Sequence, residues 1–132
     1  MRTVTLGAAV LVLVFLAGCA SAPSKPVRSE FEDIPVPKGL ERQADQSTVI
    51  ESSTVKAARL VYRGRLEMDS LTVAMRSTLE ANGWRHVSST TSSHGVLQVY
   101  EKAGSSLEVR LWEGWYFTYV ELTASRALQP AK

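Results

Sequence analysis

A single amphipathic helix among strand-like segments is the feature that most constrains this fold. Apolar residues recur at helical spacing from Leu71 to Leu79, and Asn82-Gly83 supplies a stop signal because glycine adopts left-handed conformations at low cost. The pattern predicts a helix over residues 69–82. Asp69 is its expected N-cap, since an aspartate carboxylate accepts from the free amides of a first turn. One helix covers only one face of a sheet, so the other face must be solvated or partnered.

Strand-like patterns lie on both sides of this helix. Before it, Thr48 to Thr54 is rich in β-branched residues, and Lys56 to Arg65 alternates apolar with polar residues. After it, four strands are predicted, at Trp84–Thr91, Val96–Lys102, Leu107–Leu111 and Trp115–Thr123. The turns between them, including a tight Glu113-Gly114 hairpin, are short and make neighbours antiparallel. The expected class is α+β, a curved antiparallel sheet of about five to six strands packed on one helix, in the order β-β-α-β-β-β-β.

The N-terminal segment has the parts of an export signal. Arg2 precedes an apolar run of about 14 residues, shorter than the about 20 that a membrane-spanning helix needs. The run ends in Leu16-Ala17-Gly18-Cys19, and Cys19 is the only cysteine of the chain. This segment resembles a bacterial lipoprotein signal with a lipobox. The resemblance implies a signal peptide at residues 1–18, cleavage before Cys19 and a diacylglycerol on its thiol.

A lipid on Cys19 predicts where the protein is held. Two or more acyl chains anchor a protein stably, because each buried methylene contributes about 0.8 kcal/mol. Ala20 follows Cys19 where an aspartate would signal retention. The resemblance to lipoproteins of bacteria with two membranes then implies the outer membrane, periplasmic side. In a cell with one membrane the anchor is the extracellular side of the plasma membrane. With its only cysteine lipidated, the chain has no disulfide and its fold must depend on packing.

The mature chain is expected to be a tether followed by one small domain. Residues 19–46 carry the lipidated cysteine and are rich in small, polar and proline residues, which predicts a flexible tether. The apolar residues in it that would lie against the domain are Ile34, Val36 and Leu40. Residues 47–124 are the predicted α+β domain, and residues 125–132 a disordered tail.

Short motifs in the domain carry a second resemblance. Pro35-Val36-Pro37-Lys38-Gly39 is followed by Leu60-Val61-Tyr62-Arg63-Gly64 and then by Asn82-Gly83-Trp84. In this order the motifs resemble a family of uncharacterised proteobacterial membrane lipoproteins. The domain is also similar to helix-grip domains of accessory lipoproteins in outer-membrane assembly machinery. Neither resemblance implies a catalytic residue.

No residue pattern points to catalysis, a metal or a cofactor. His86 and His94 are the only histidines and would face each other across a hairpin, but a zinc site needs three or four ligands and no third is apparent. The serines nearby lack a Gly-x-Ser-x-Gly elbow and an ordering carboxylate. The 15 Lys and Arg nearly balance 13 Asp and Glu, which does not favour nucleic acid as a partner. We therefore expect no enzyme activity, no metal, no cofactor and no nucleic-acid binding.

Aromatic residues crowd the last predicted hairpin. The candidate interaction residues are Trp112, Trp115, Phe117 and Tyr119. Alternation along the strands places these side chains on one face of the sheet and those of Val120 and Leu122 on the other face. If Val120 and Leu122 face the helix, the aromatic residues form an exposed patch, a feature that marks contacts with partners. The pattern leaves the reverse arrangement, with the aromatic residues in the core, equally open.

These observations predict a non-enzymatic interaction or structural module of the cell envelope, held to the membrane at Cys19 and binding an envelope protein. The alternative is a carrier of a small apolar ligand. It would require a cavity between helix and sheet lined by Leu60, Tyr62, Met75 and Leu79. A third hypothesis, a hydrolase of envelope material, would require His86, His94 and a carboxylate to converge.

Overall fold

The computed structural model describes Phe31 and residues 34–128. In that part of the chain, the elements in order are β1 (Glu41–Arg42), a 3-10 turn (Ala44–Gln46), β2 (Thr48–Glu51), β3 (Val55–Gly64), α1 (Met68–Ala81), β4 (Arg85–Ser92), β5 (Gly95–Lys102), β6 (Ser105–Glu113) and β7 (Thr118–Ala127). The strands form one antiparallel sheet in the order β3-β7-β6-β5-β4, and β1 and β2 both pair with the other side of β3. The α+β class is confirmed. The strand count and order differ from the prediction, because residues 41–42 add a strand before the others.

The side of the sheet toward α1, here the inner face, is apolar. Along β6 and β7 every second residue is almost completely buried: Leu107, Val109, Leu111, Val120, Leu122 and Ala124. Val109 pairs with Leu122, which pairs in turn with Leu60 of β3, so three strands contribute to the same row of the core. Each buried valine or leucine side chain of this face contributes about 1.5–3 kcal/mol by leaving water. The structure thus places Val120 and Leu122 in the core, and the face with Tyr119 away from the helix.

Helix α1 buries Leu71, Met75 and Leu79 against this face. Its N-cap is Glu67, whose carboxylate accepts from the amides of Asp69 at 2.8 Å and Ser70 at 2.7 Å. The prediction of Asp69 as N-cap is therefore wrong, because the helix begins at Met68 and Asp69 lies inside its first turn, where its own amide is one of those that need an acceptor. The predicted stop at Gly83 is confirmed by its positive φ of 85°.

The helix does not cover the inner face alone. It contacts β4 and β6, and Gln98 of β5 donates to the Thr72 carbonyl at 3.3 Å. Strands lie about 4.8 Å apart and a helix is about 10 Å wide, so a face of this width needs a second cover. Phe31 and Ile34 supply it from the N-terminal side, since they are 2% and 6% exposed in the same apolar cluster.

The N-terminal segment packs on the domain where its apolar residues predicted that it would. Ile34 is buried and Val36 and Leu40 pack against the core, whereas β1 and the 3-10 turn occupy residues that the prediction gave to the flexible tether. At the other end, residues 125–127, predicted as part of a disordered tail, belong to β7 and pair with β3. These residues form a strand because pairing with β3 satisfies the hydrogen bonds of their backbone groups.

Two strand boundaries also differ from the prediction. The last strand begins at Thr118, and the connection from β6 is a four-residue loop rather than a tight Glu113-Gly114 hairpin. The first predicted strand ends at Glu51 and not at Thr54, because Ser52 forms a turn by accepting from the Val55 amide at 3.0 Å.

None of the helices in the described residues has the length and apolarity required to cross a membrane.

Candidate interaction surface

The β6–β7 hairpin brings two predicted aromatic residues together on the outer face of the sheet. Trp112 and Tyr119 are direct cross-strand partners. Their rings are stacked, with centroids 5.4 Å apart and planes inclined by 10°. Directly opposed residues have Cβ atoms about 4.5–5.5 Å apart, which lets two flat rings lie face to face. Each residue is half-buried, so the stack forms a firm wall with one side to solvent.

The loop that joins the two strands carries the remaining aromatic residues. It is closed by a hydrogen bond from the Gly114 amide to the Phe117 carbonyl at 2.8 Å. A Cβ at Gly114 would lie 2.6 Å from the Tyr119 ring, so the ring packs where only glycine leaves room. Trp115 at the tip of this loop is 100% exposed, and its neighbour Tyr116 is 53% exposed. The prediction that Trp115 and Phe117 lie in a strand beside Tyr119 is thus wrong in its geometry, since both belong to the loop.

Two arginines near the end of β3 support the loop from the side. The Arg63 guanidinium carbon lies 4.7 Å from the centre of the Phe117 ring, and that of Arg65 lies 4.3 Å from the centre of the Tyr116 ring. Arginine over an aromatic face is an attractive cation–π arrangement. The Tyr116 and Phe117 rings meet edge to face, 4.8 Å apart. We call this group the aromatic surface: Trp112, Trp115, Tyr116, Phe117, Tyr119, Arg63 and Arg65.

The loop is held to the domain close to its base. Thr118, the first residue of β7, is buried, and its hydroxyl donates to the Leu66 carbonyl at 2.6 Å. Next to it, Gly64 of β3 approaches the Gly39 carbonyl so closely that a Cβ would lie 2.3 Å from it. These contacts hold Thr118 and its cross-strand partner Gly64 in place at the base of the loop. A partner that binds there would therefore meet rings already positioned, which lowers the entropic cost of binding.

Sequence reasoning missed three members of the aromatic surface. Tyr116, Arg63 and Arg65 were not among the predicted interaction residues. The pairing of Arg63 with Tyr119 is a register between strands 56 positions apart, which no local pattern reveals. The signal that was available is compositional, since tryptophan, tyrosine and arginine are the residues most enriched where binding energy concentrates.

The two histidines do not meet. His86 lies on β4 opposite Tyr100 and bonds to the Ser89 hydroxyl at 2.8 Å, whereas His94 lies in the turn at the other end of that strand. The prediction that they face each other across the hairpin is wrong, because the hairpin turns at His94 itself. No group of three or more His, Cys, Asp or Glu side chains suited to a metal occurs among the described residues.

The region between helix and sheet is filled by side chains. Leu60, Met75 and Leu79 have no exposed surface, and Tyr62 is 6% exposed. Polar groups there are paired: the buried Tyr100 hydroxyl donates to the Gln98 side-chain oxygen at 2.9 Å, and burial raises the pKa of Tyr100 to about 12. Open clefts lie on the surface, one of about 560 Å³ beside the turn at residues 92–95.

Cys19, the candidate lipidation site, lies outside the described residues, as do residues 1–18 and 129–132. Comparisons with protein-family models, with curated proteins and with solved structures found no match. The lipobox and the resemblance to proteobacterial lipoproteins therefore stay predictions, and the geometry of the aromatic surface is the argument that remains for function.

Proposed function

We propose that this chain is a lipid-anchored protein of the bacterial envelope, without enzyme activity, whose domain binds a partner protein through the aromatic surface. The anchor is the lipid on Cys19, at the outer membrane in a cell with two membranes and at the plasma membrane in a cell with one. The observation that carries the binding role is the complete exposure of Trp115, beside a half-exposed Tyr116, on an ordered loop.

The exposure of two large aromatic side chains is unfavourable unless a partner covers them. A tryptophan side chain buries roughly 150–250 Å² when covered, so leaving Trp115 and Tyr116 in water forgoes stabilisation that a contact would recover. Scattered single apolar residues are ordinary, but two adjacent aromatic side chains backed by a ring stack form a continuous patch. A patch of this kind supports a binding site better than a solvated loop, for which polar residues would suffice.

The filled core favours this proposal over the carrier. A carrier needs a cavity for its cargo, and ligand pockets are typically about 300–1,000 Å³ and lined by apolar side chains. The side chains expected to line that cavity, Leu60, Met75 and Leu79, instead pack in a common cluster. The aromatic surface requires no such space, because its binding residues project from the outside of the domain.

The test of partner binding is capture from intact cells. A tagged chain is crosslinked in its host, and the proteins that co-purify are compared for wild type, Trp115→Ala and Val73→Ala. Val73 is 67% exposed on the helix, so it is a matched control for loss of an exposed apolar side chain away from the loop. We expect one envelope protein with wild type and with Val73→Ala, reduced at least tenfold by Trp115→Ala, since tryptophan hot spots contribute about 2 kcal/mol or more. Equal recovery with Trp115→Ala would rule out the aromatic surface as the binding site.

The anchor is tested separately on Cys19. Replacement of Cys19 by serine removes the thiol that accepts the diacylglycerol, so we expect loss of lipid labelling and accumulation of an unprocessed precursor. Ser21→Ala, two residues further along, serves as the control and should be labelled and processed as wild type. Normal lipid labelling of Cys19→Ser would refute the anchor without touching the partner-binding proposal.

A further inference from the structure

The two edges of the sheet are built differently. The edge of β3 is covered by β1 and β2, strands of two and four residues separated by a 3-10 turn. Short, interrupted edge strands are one of the means by which proteins prevent further pairing. At the opposite edge, β4 runs for eight residues, and no other described strand pairs with its outer side.

The second half of β4, from Ser88 to Ser92, lacks the proline and lysine residues that commonly prevent an edge strand from pairing further. Its pairing with β5 is interrupted between His86 and Ser88, and from Ser88 to Ser92 it is regular. These five residues are Ser, Ser, Thr, Thr and Ser, all exposed, with no proline or lysine among them. Along an antiparallel strand, alternate residues direct their amide and carbonyl groups away from the neighbour. The stretch therefore presents backbone donors and acceptors in a regular row, which is a template for another strand.

From this edge we infer that a second copy of the chain pairs with β4, antiparallel about a two-fold axis at Thr90. Ser88 of one copy then lies opposite Ser92 of the other, and Ser89 opposite Thr91. None of these side chains is charged, so no like charges oppose each other, and hydroxyl-bearing residues are favourable cross-strand neighbours. A strand that matches itself in this way fits the self-complementary contact that a two-fold axis imposes.

The ends of β4 are complementary as well. Val87, at the irregular position, is 44% exposed. Pairing about Thr90 brings it opposite the turn at Ser93 and His94 of the other copy. Two surface clefts, of about 560 and 440 Å³, adjoin that turn. Arg85 carries the only charge of β4 and is already paired with Glu101 of its own chain, so it does not oppose the approach.

The inference is independent of the proposed function, and a disulfide scan tests it. Single cysteines are placed in the full-length chain at Ser88, Ser89, Thr90 and Thr91, and oxidation is followed on non-reducing gels. Thr123→Cys is the matched control, because Thr123 is exposed on the same sheet but in its interior. The wild-type chain, with Cys19 alone, gives the background.

We expect disulfide-linked dimer to peak at Thr90→Cys, several-fold above Thr123→Cys, since only at the two-fold axis do identical residues face each other. Adding Trp115→Ala should leave that yield unchanged, which separates this edge from the aromatic surface. Yields on β4 equal to the control would overturn the inference. A Thr90→Cys chain that links to a different protein, and not to itself, would overturn it too, because the edge would then take a foreign strand.

Discussion

The two faces of β6 and β7 are built on the same backbone but differ in burial and in side-chain composition. On the inner face, Leu107, Val109 and Leu111 alternate without interruption and have no exposed surface. On the outer face, the residues between and beyond them are Glu108, Arg110 and Trp112. Burial under a helix favours apolar side chains there, because a polar group left unpaired in the core costs free energy. The outer face is not buried under the helix, so folding does not require apolar side chains on it. Aromatic side chains there need an explanation other than core packing.

The outer face is itself divided along the strands. In the middle, Arg59 and Glu121 form an ion pair at 2.6 Å, partly exposed, which suits a solvated surface. At the end near the β6–β7 loop, aromatic side chains replace ion pairs, and the Arg63 guanidinium lies over the Phe117 ring. Exposed ion pairs contribute little to stability, typically under about 1 kcal/mol. Stability therefore comes mainly from the inner face, and one end of the outer face is the place where we propose that a partner binds.

The largest expected effect is on the inner face. Leu122→Ala removes a completely buried side chain from the centre of the core and should lower the free energy of unfolding by about 2–5 kcal/mol. Thr123→Ala, one position along and on the outer face, should change it by less than about 0.5 kcal/mol. Urea denaturation of both variants measures the difference. Equal losses would break the comparison between the two faces.

A smaller loss is expected where the N-terminal segment covers the inner face. Ile34→Ala should destabilise the domain by about 2 kcal/mol, the low end for such a truncation, because the segment can partly collapse into the space left. Ile50→Ala is the control, since Ile50 is 57% exposed. An Ile34→Ala variant with the unfolding midpoint of wild type would return residues 34–46 to the role of a flexible tether.

The N-cap gives a prediction of intermediate size with a pH signature. Hydrogen bonds with Ser70, from its side chain first and then its amide, hold the pKa of Glu67 below its ordinary value of 4.5. A carboxyl whose pKa is lower in the folded state stabilises the fold above its unfolded pKa and ceases to do so as pH falls through the folded pKa. Glu67→Ala should therefore lower the thermal midpoint at pH 7 more than Asp69→Ala does.

The same difference should vanish in acid. Thermal melts of wild type and Glu67→Ala should converge as the pH is brought from 7 to below 4.5, the ordinary pKa of the carboxyl. A gap that persists unchanged at the acid end would show that Glu67 acts through packing rather than as a charged acceptor. A larger effect of Asp69→Ala would restore Asp69 as the cap.

The smallest expected effect is at the loop. Trp115→Ala removes a side chain that is 100% exposed, so the free energy of unfolding should change by less than about 0.5 kcal/mol. Circular dichroism and urea denaturation measure it, with Leu122→Ala as the sensitive reference. A loss above about 1 kcal/mol would place Trp115 in a packed environment and weaken its assignment to binding.

The sequence alone determined the features that depend on neighbours along the chain. The helix lies within one residue of its predicted ends, because apolar spacing and the Asn82-Gly83 stop act over a single turn or two. Antiparallel pairing followed from short turns, and alternation along Leu107–Leu111 followed from the two-residue period of a strand. The lipobox ending in Cys19 is likewise a local pattern, and it stays a prediction.

Only the tertiary structure decided which face of the sheet is buried, and with it the exposure of the aromatic residues. Alternation divides side chains into two sets but does not say which set meets the helix, because that depends on packing between distant segments. The covering role of Phe31 and Ile34, the position of Arg63 beside Phe117 and the open edge at β4 are results of the same kind. Each requires strands far apart in the chain to be neighbours, and the burial that makes them so is a property of the whole fold.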